Sequence, residues 1–72
     1  TLSYEFSISI SSDIKVVIYD LSGREVYYND MGYTMPGRYN KTWDGSLSPA
    51  GIYIISILSD NDIDSRKIVL IK

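Results

Sequence analysis

The sequence has 72 residues and therefore fits one domain, because chains usually supply roughly 100 to 200 residues per domain. It is 44% hydrophobic and 22% charged, as globular chains are, and it contains no Cys and no His, which excludes disulfides, thiolate and imidazole catalysis and the common zinc sites. A net charge of −2 argues against a nucleic-acid partner, and the absence of an apolar run of about 18 residues argues against membrane insertion.

Alternation of apolar and polar residues with a period of two dominates the chain, and this pattern is typical of half-buried β-strands. The first such run covers Leu2 to Ile10, and the polar triplet Ser11-Ser12-Asp13 is predicted to end it. A second run covers Ile14 to Ile18. Helical spacing never replaces the alternation, so these first segments already indicate a β-protein.

A turn is predicted after the second strand, at Asp20-Leu21-Ser22-Gly23. In such a turn the Asp20 carboxylate accepts hydrogen bonds from nearby backbone, and Gly23 takes a positive φ. The turn predicts a hairpin into a third strand at Arg24 to Tyr28. Residues 29–37 contain two Gly, one Pro, one Asn and one Asp, so they are expected to be mostly loop.

Three more strands are predicted in the second half of the chain. A short fourth strand runs from Tyr39 to Trp43, with both aromatic rings facing the core. The loop that begins at Asp44-Gly45 ends at Gly51, which allows a tight turn into the next strand. That strand, Ile52 to Leu58, is almost continuously apolar, and we expect it to be the most buried. Ser65 to Lys72 alternates well enough to be the predicted last strand.

The spacing of these strands, with turns every ~8 to 12 residues, predicts the fold class. It is all-β, a small immunoglobulin-like antiparallel β-sandwich of six to seven strands. Trp43 is interpreted as a core or loop-anchoring residue, since one large ring buries ~150–250 Å². The domain is too small for a substrate cleft between paired carboxylates, so the sequence predicts neither an enzyme nor a cofactor.

The ordered turn motifs resemble those of a known family. They are Ile18-Tyr19-Asp20, Gly23-Arg24-Glu25-Val26, Gly37, Trp43-Asp44-Gly45, Gly51-Ile52-Tyr53 and the final run from Lys67 to Lys72. Together they are similar to the C-terminal sorting domain of proteins exported by the type IX secretion system (Por secretion system) of Bacteroidetes. An immunoglobulin-like domain of the flagellar hook-capping protein shares the Trp-Asp-Gly and Gly-x-Tyr elements, and the final Lys-apolar-Lys strand favours the sorting domain.

The resemblance implies that residues 1–72 form a single C-terminal sorting domain without catalytic activity. Such a domain directs a parent enzyme or adhesin domain in the same chain through the type IX secretion machinery. The resemblance further implies that the product is secreted or held at the cell surface, via the periplasm. After export the domain is expected to be removed or attached to surface lipopolysaccharide.

The resemblance also assigns roles to individual residues. It places recognition at the terminal strand and beside it, at Arg66, Lys67 and Lys72, with Gly51 and Tyr53 supporting that strand. Structural turn roles are expected for Asp20, Gly23, Trp43, Asp44 and Gly45. Charged residues on an exposed strand are also a common defence against unwanted edge pairing, so this second interpretation of the terminal strand stays open.

The main alternative is a structural or carbohydrate-binding accessory module of a secreted polysaccharide-degrading enzyme. The chain has seven Tyr and one Trp, and flat aromatic rings on a β-sandwich can stack on sugars. Tyr27 and Tyr28 are adjacent, so one of them faces outward from its strand. Exposed Tyr is also common on strands, because aromatic cross-strand pairs stabilise sheets by roughly 0.2–1 kcal/mol.

Two local features depart from simple expectations. Lys41 stands where members of the family usually place an apolar residue, which predicts an edge position or a shifted register for the fourth strand. Asp60, Asp62 and Asp64 alternate as at the start of a calcium loop, but the Gly and the bidentate Glu of that loop are absent. No metal is therefore expected.

Overall fold

Residues 2–60 and 62–71 are described by the computed structural model of the chain. Within them the chain forms six β-strands: β1 (Leu2–Ile8), β2 (Ser12–Tyr19), β3 (Glu25–Thr34), β4 (Gly37–Trp43), β5 (Gly51–Leu58) and β6 (Ile63–Leu70). The same residues contain no helix of the length and apolarity that a membrane span requires.

The strands form two antiparallel sheets. In the described residues, β1 pairs with β4 in a two-stranded sheet, and the other four form a sheet in the order β3-β2-β5-β6. Buried side chains of both sheets meet in one core, so the chain is an all-β sandwich consistent with a small immunoglobulin-like fold. The sequence prediction of the fold class is confirmed.

The core combines aliphatic residues of the larger sheet with aromatic residues of both sheets. Its buried members are Tyr4, Phe6, Ile14, Val16, Ile18, Trp43, Tyr53, Ile55 and Leu70. Trp43 lies 5.3 Å from the ring centre of Tyr53 in an edge-to-face arrangement and 6.3 Å from that of Tyr27. Burial, more than the neighbouring Tyr27 hydroxyl, raises the pKa of Tyr4 above its ordinary range.

The first strand ends earlier in the chain than the predicted end at Ile10. β1 ends at Ile8, and Ser12 and Asp13, expected to terminate the first strand, instead open β2. Ser12 is buried, pairs with Thr34 of β3 and accepts a hydrogen bond through its hydroxyl from the Asp60 N–H at 2.8 Å. A polar side chain with such a hydrogen-bond partner can be buried in a strand. The boundary between β1 and β2 is therefore wrong when it is predicted from polarity alone.

The prediction of a loop at residues 29–37 is wrong for most of that segment. β3 continues to Thr34, and its register against β2 shifts because Met31 is one residue too many between the pairs Lys15–Asp30 and Ile14–Gly32. Gly32 has a φ of 70°, and its N–H donates to the Asp30 carboxylate. The turn-forming residues thus build a β-bulge inside a strand instead of ending it.

β5 is an interior strand of the larger sheet, but it is not the most buried one, which corrects the expectation for Ile52 to Leu58. Three of its eight residues are buried, compared with five of eight in β2. On its outer face Ile52 is 40% exposed, and Ile54, Ile57 and Leu58 are only half-buried.

The remaining predictions concern β4 and β6. β4 lies at an edge and Lys41 is exposed, as the edge interpretation predicts. Trp43 is 3% exposed and faces the core. β6 starts at Ile63, two residues before the predicted start, because a tight turn with a Ser59 N–H to Asp62 carbonyl hydrogen bond brings Ile63 opposite Leu58.

Candidate recognition surface

The turn between β2 and β3 is held by one carboxylate. One oxygen of Asp20 accepts hydrogen bonds from the N–H groups of Ser22 at 3.0 Å and Arg24 at 2.9 Å, and the other is 3.2 Å from the Arg24 guanidinium. Gly23 has a φ of 86°. The hydrogen bond from the Arg24 backbone, with smaller contributions from the guanidinium and Ser22, lowers the pKa of Asp20.

This shift predicts a pH dependence of stability. A carboxyl group whose pKa is lower in the folded than in the unfolded chain stabilises the fold above the unfolded pKa and ceases to do so as pH falls through the folded one. We expect the urea midpoint of unfolding to fall between about pH 5 and about pH 3, and to fall less in Asp20→Asn. Equal decreases in the two proteins would contradict a role for Asp20.

The Trp43-Asp44-Gly45 motif fixes the loop after β4 onto the end of β6. The Asp44 carboxylate accepts a hydrogen bond from the Ser46 N–H at 3.1 Å. A Cβ atom at Gly45 would lie 2.7 Å from a methyl carbon of Leu70 and 3.4 Å from the Trp43 ring. Leu70 is 2% exposed and has little room to move, so the close approach of Gly45 requires glycine.

Gly51 and Tyr53 also position the end of β6. Gly51 has a φ of 151° and pairs with Leu70, while Tyr53 pairs with Ile68. The Tyr53 hydroxyl donates to the Pro49 carbonyl oxygen at 2.5 Å and so ties the preceding loop to the core. Both motifs named from the sequence therefore converge on the same structural element, the terminal strand.

The structure places Arg66 and Lys67 on opposite faces of β6, because adjacent residues of a strand point to opposite sides. Arg66 lies on the side of the smaller sheet, 3.0 Å from the Asp64 carboxylate, and donates to the Glu5 carbonyl oxygen at 3.4 Å. Lys67 is exposed and forms no ion pair within residues 2–60 and 62–71. Lys72 lies outside the described residues.

Lys67 belongs to a largely apolar surface on the outer face of the larger sheet. Directly paired residues share a face, so the pairings Tyr19–Ile54, Ile54–Lys67 and Ile52–Val69 bring five side chains together. We call them the outer-face patch. Ile52 is 40% and Val69 52% exposed, while Tyr19 and Ile54 are half-buried.

Sequence reasoning named Lys67 but missed the four apolar residues of the outer-face patch. The signal was present in the almost continuous apolar run of β5, since a strand in a sheet with one solvated face normally alternates. That run is typical of a strand that is covered on both faces or lies at the centre of its sheet. β5 does lie inside its sheet, but the structure shows no cover over the outer side of Ile52 and Ile54 among the described residues. An exposed apolar group of this kind is typical of an interaction surface.

The acidic residues between β5 and β6 do not form a metal centre in the described part of the chain, where no group of three or more metal-ligating side chains comes together. Asp62 accepts a hydrogen bond from the Ile63 N–H, and Asp64 pairs with Arg66. These carboxylates therefore serve the local turn and strand.

In a comparison with protein families, the model described as "Secretion system C-terminal sorting domain" matches residues 3–72. The match covers almost the whole chain, including every turn motif and the outer-face patch. The chain belongs to this family. The sorting domain is a C-terminal sorting signal of type IX secretion, a system typical of Bacteroidetes, and the family is not a catalytic one. Curated proteins and solved structures gave no match.

Family membership does not favour the carbohydrate-binding alternative, and neither does the position of Trp43. The only Trp of the sorting domain is buried in the core, where no sugar ring can stack on it. Tyr28 and Tyr33 are exposed, at 49% and 68%. Tyr28 pairs with Val17 on the same outer face and Tyr33 with Asp13, as cross-strand aromatic residues do without a ligand.

Proposed function

We propose that the sorting domain carries no catalytic activity of its own and delivers a parent enzyme or adhesin domain in the same chain from the periplasm to the type IX secretion machinery. The parent protein performs the chemistry, and the sorting domain supplies recognition. Family membership supports this division, since it implies a machinery that reads the domain and a parent protein that is exported.

We further propose that the machinery binds the outer-face patch. The observation that carries this proposal is the position of Lys67 among exposed apolar residues on the terminal strand, which the Gly45 and Gly51 contacts hold in place. A matching partner surface offers apolar side chains and a carboxylate for Lys67. Burial of apolar area supplies affinity in such an interface, and the charge pair supplies orientation.

Arg66 has a different role in this proposal. Its guanidinium is already engaged by the Asp64 carboxylate and the Glu5 carbonyl oxygen, on the side away from Lys67. Through these two contacts Arg66 stabilises the terminal strand on the side of the smaller sheet. Gly51 and Tyr53 stabilise the same strand from the neighbouring strand β5. Of the charged residues proposed for recognition, Lys67 is the one that the described structure leaves accessible to a partner on the outer face.

The test is export of a fluorescent reporter fused to the sorting domain, behind a signal peptide, in a host with an active type IX system. We expect the double variant Lys67→Glu and Val69→Asp to lower the extracellular fraction at least about tenfold. The reason is that charge reversal places like charges together in the interface, and the carboxylate introduced by Val69→Asp is buried there without a partner.

Matched controls are available on the same domain. Lys41→Glu reverses an exposed lysine of the other sheet, and Ile63→Asp introduces a carboxylate at an exposed position of the same strand, outside the outer-face patch. Both are expected to leave export unchanged, and circular dichroism establishes that all variants fold. Normal export of a folded Lys67→Glu and Val69→Asp variant would show that the recognition surface lies elsewhere.

A further inference from the structure

The smaller sheet leaves one side of the sandwich open. Within the described residues β1 pairs with β4 alone, so the edge of β1 that faces β6 has no neighbouring strand. A groove of about 340 Å³ lies along this edge, between β1 and the β5–β6 half of the larger sheet. Its floor is formed by Ile55, Ile57 and Ile68, and its rim on the β1 side by Ser3 and Glu5.

The groove continues along the rest of β1. A second depression of about 430 Å³ shares Ile57 with the first and follows Phe6, Ser7 and Ile8 to the turn before β6. Together the two depressions run beside six consecutive residues of β1, from Ser3 to Ile8, or about 20 Å of extended chain. This length corresponds to that of one ordinary β-strand.

Backbone groups of β1 point into the groove. The Glu5 carbonyl oxygen accepts a hydrogen bond from the Arg66 guanidinium across the groove, so it is directed away from β4. In an antiparallel strand, alternate residues direct both N–H and C=O to the same side. Ser3 and Ser7 therefore present theirs to the groove as well, in the arrangement that an added strand requires.

We propose that this groove binds an extended peptide segment of a partner protein, which pairs with β1 and extends the two-stranded sheet. Alternate apolar side chains of the segment lie on Ile55, Ile57 and Ile68. The segment runs antiparallel to β1 and carries a basic residue at its N-terminal end, because Asp60, Asp62 and Asp64 line the groove where β1 ends. Strand addition of this kind combines backbone pairing with pockets for alternate side chains.

Arg66 covers the groove when it is empty. Its guanidinium occupies the place where an N–H of the added strand would donate to the Glu5 carbonyl, and the Arg66 side chain is 56% exposed, so it can swing out. An incoming strand replaces one hydrogen bond to Glu5 with another and leaves Arg66 paired with Asp64. This surface is separate from the outer-face patch, and the proposal does not depend on where the export machinery binds.

The test uses the 72-residue chain labelled with ¹⁵N and a capped octapeptide that begins with lysine and then alternates valine and threonine. We expect saturable shifts of the Ser3, Glu5 and Ser7 amide resonances and at least about tenfold slower hydrogen exchange of these amides, because they become hydrogen-bonded. A peptide with N-methyl groups on the donors that face β1 should not bind. One with glutamate in place of lysine should bind more weakly.

Two variants test the role of Arg66. Arg66→Met removes the hydrogen bond to Glu5 and keeps a long side chain, and we expect it to bind the octapeptide several-fold more tightly. Arg38→Met is the matched control, since Arg38 pairs with the Glu5 side chain at 3.7 Å and not with its carbonyl oxygen; it should bind as the unchanged protein does. Unshifted β1 amides, equal binding of the N-methylated or of the glutamate peptide, or no gain in Arg66→Met would overturn the proposal.

Discussion

Replacement of Trp43 with alanine is expected to leave the sorting domain largely unfolded in water at room temperature. The ring is 3% exposed and packs against Tyr27 and Tyr53, and it lies over the close approach of Gly45 to Leu70. Loss of a buried Trp side chain costs ~3–5 kcal/mol. One core in a domain of this size rarely supplies more than ~3–5 kcal/mol in total.

The measurement is urea unfolding followed by far-ultraviolet circular dichroism. Trp43→Phe should retain a cooperative transition with a lowered midpoint, since part of the aromatic volume remains. Leu47→Ala, in the loop that follows β4, is the matched control, because Leu47 is fully exposed and its removal leaves the core intact. A cooperative transition of Trp43→Ala near the midpoint of the unchanged domain would show that the aromatic cluster does not hold the sheets together.

Deletion of residues 68–72 is the second change that we expect to unfold the sorting domain. It removes Leu70, one of the largest fully buried side chains, and Ile68, which packs against the core. Truncation of a single buried Leu already costs ~2–5 kcal/mol. The deletion also removes the partners of Gly51, Ile52 and Tyr53, so β5 loses part of its pairing on that side.

This expectation affects how truncation experiments on the domain are interpreted. If the shortened chain gives no cooperative unfolding transition, its loss of export reports loss of structure and not loss of a signal. Deletion of residues 71–72 alone is the matched control, because it leaves Leu70 in place and removes Ile71, which is 81% exposed. A cooperative transition in the 68–72 deletion would refute the expected dependence of the core on Leu70.

The sequence predicts most of this fold because side-chain alternation is a local signal. β1 and β2 carry it, β4 carries it in Tyr39 and Trp43, and the turn at Asp20 and Gly23 has residues whose conformational preferences are nearly independent of the surroundings. The core position of Trp43 follows from the same alternation. For these elements, the local pattern and the packed structure agree, as minimal frustration requires.

The outer-face patch could not be predicted from the alternation alone. Adjacent positions show that Arg66 and Lys67 face opposite sides, but the side that faces the core is decided by the pairing of β6 with β5. The neighbours of Lys67 come from β2 and β5, which are brought beside it by the sheet order. The apolar run of β5 indicated a strand covered on both faces or lying at the centre of its sheet, and β5 is an interior strand with only one covered face in the described structure.

The extra residue in β3 reverses which of the following positions of the strand face the core and which face solvent. From Tyr27 to Met31 the odd positions face inward, with Tyr27 and Met31 packed against the core and Tyr28 exposed; after Met31, Thr34 is buried and Tyr33 is exposed, so the inward positions become even. Without that residue, strict alternation would exchange the places of Tyr33 and Thr34. The number of residues in this segment therefore decides which of the following side chains face the core. The insertion or deletion of one residue here is tolerated only with a compensating deletion or insertion on the same strand.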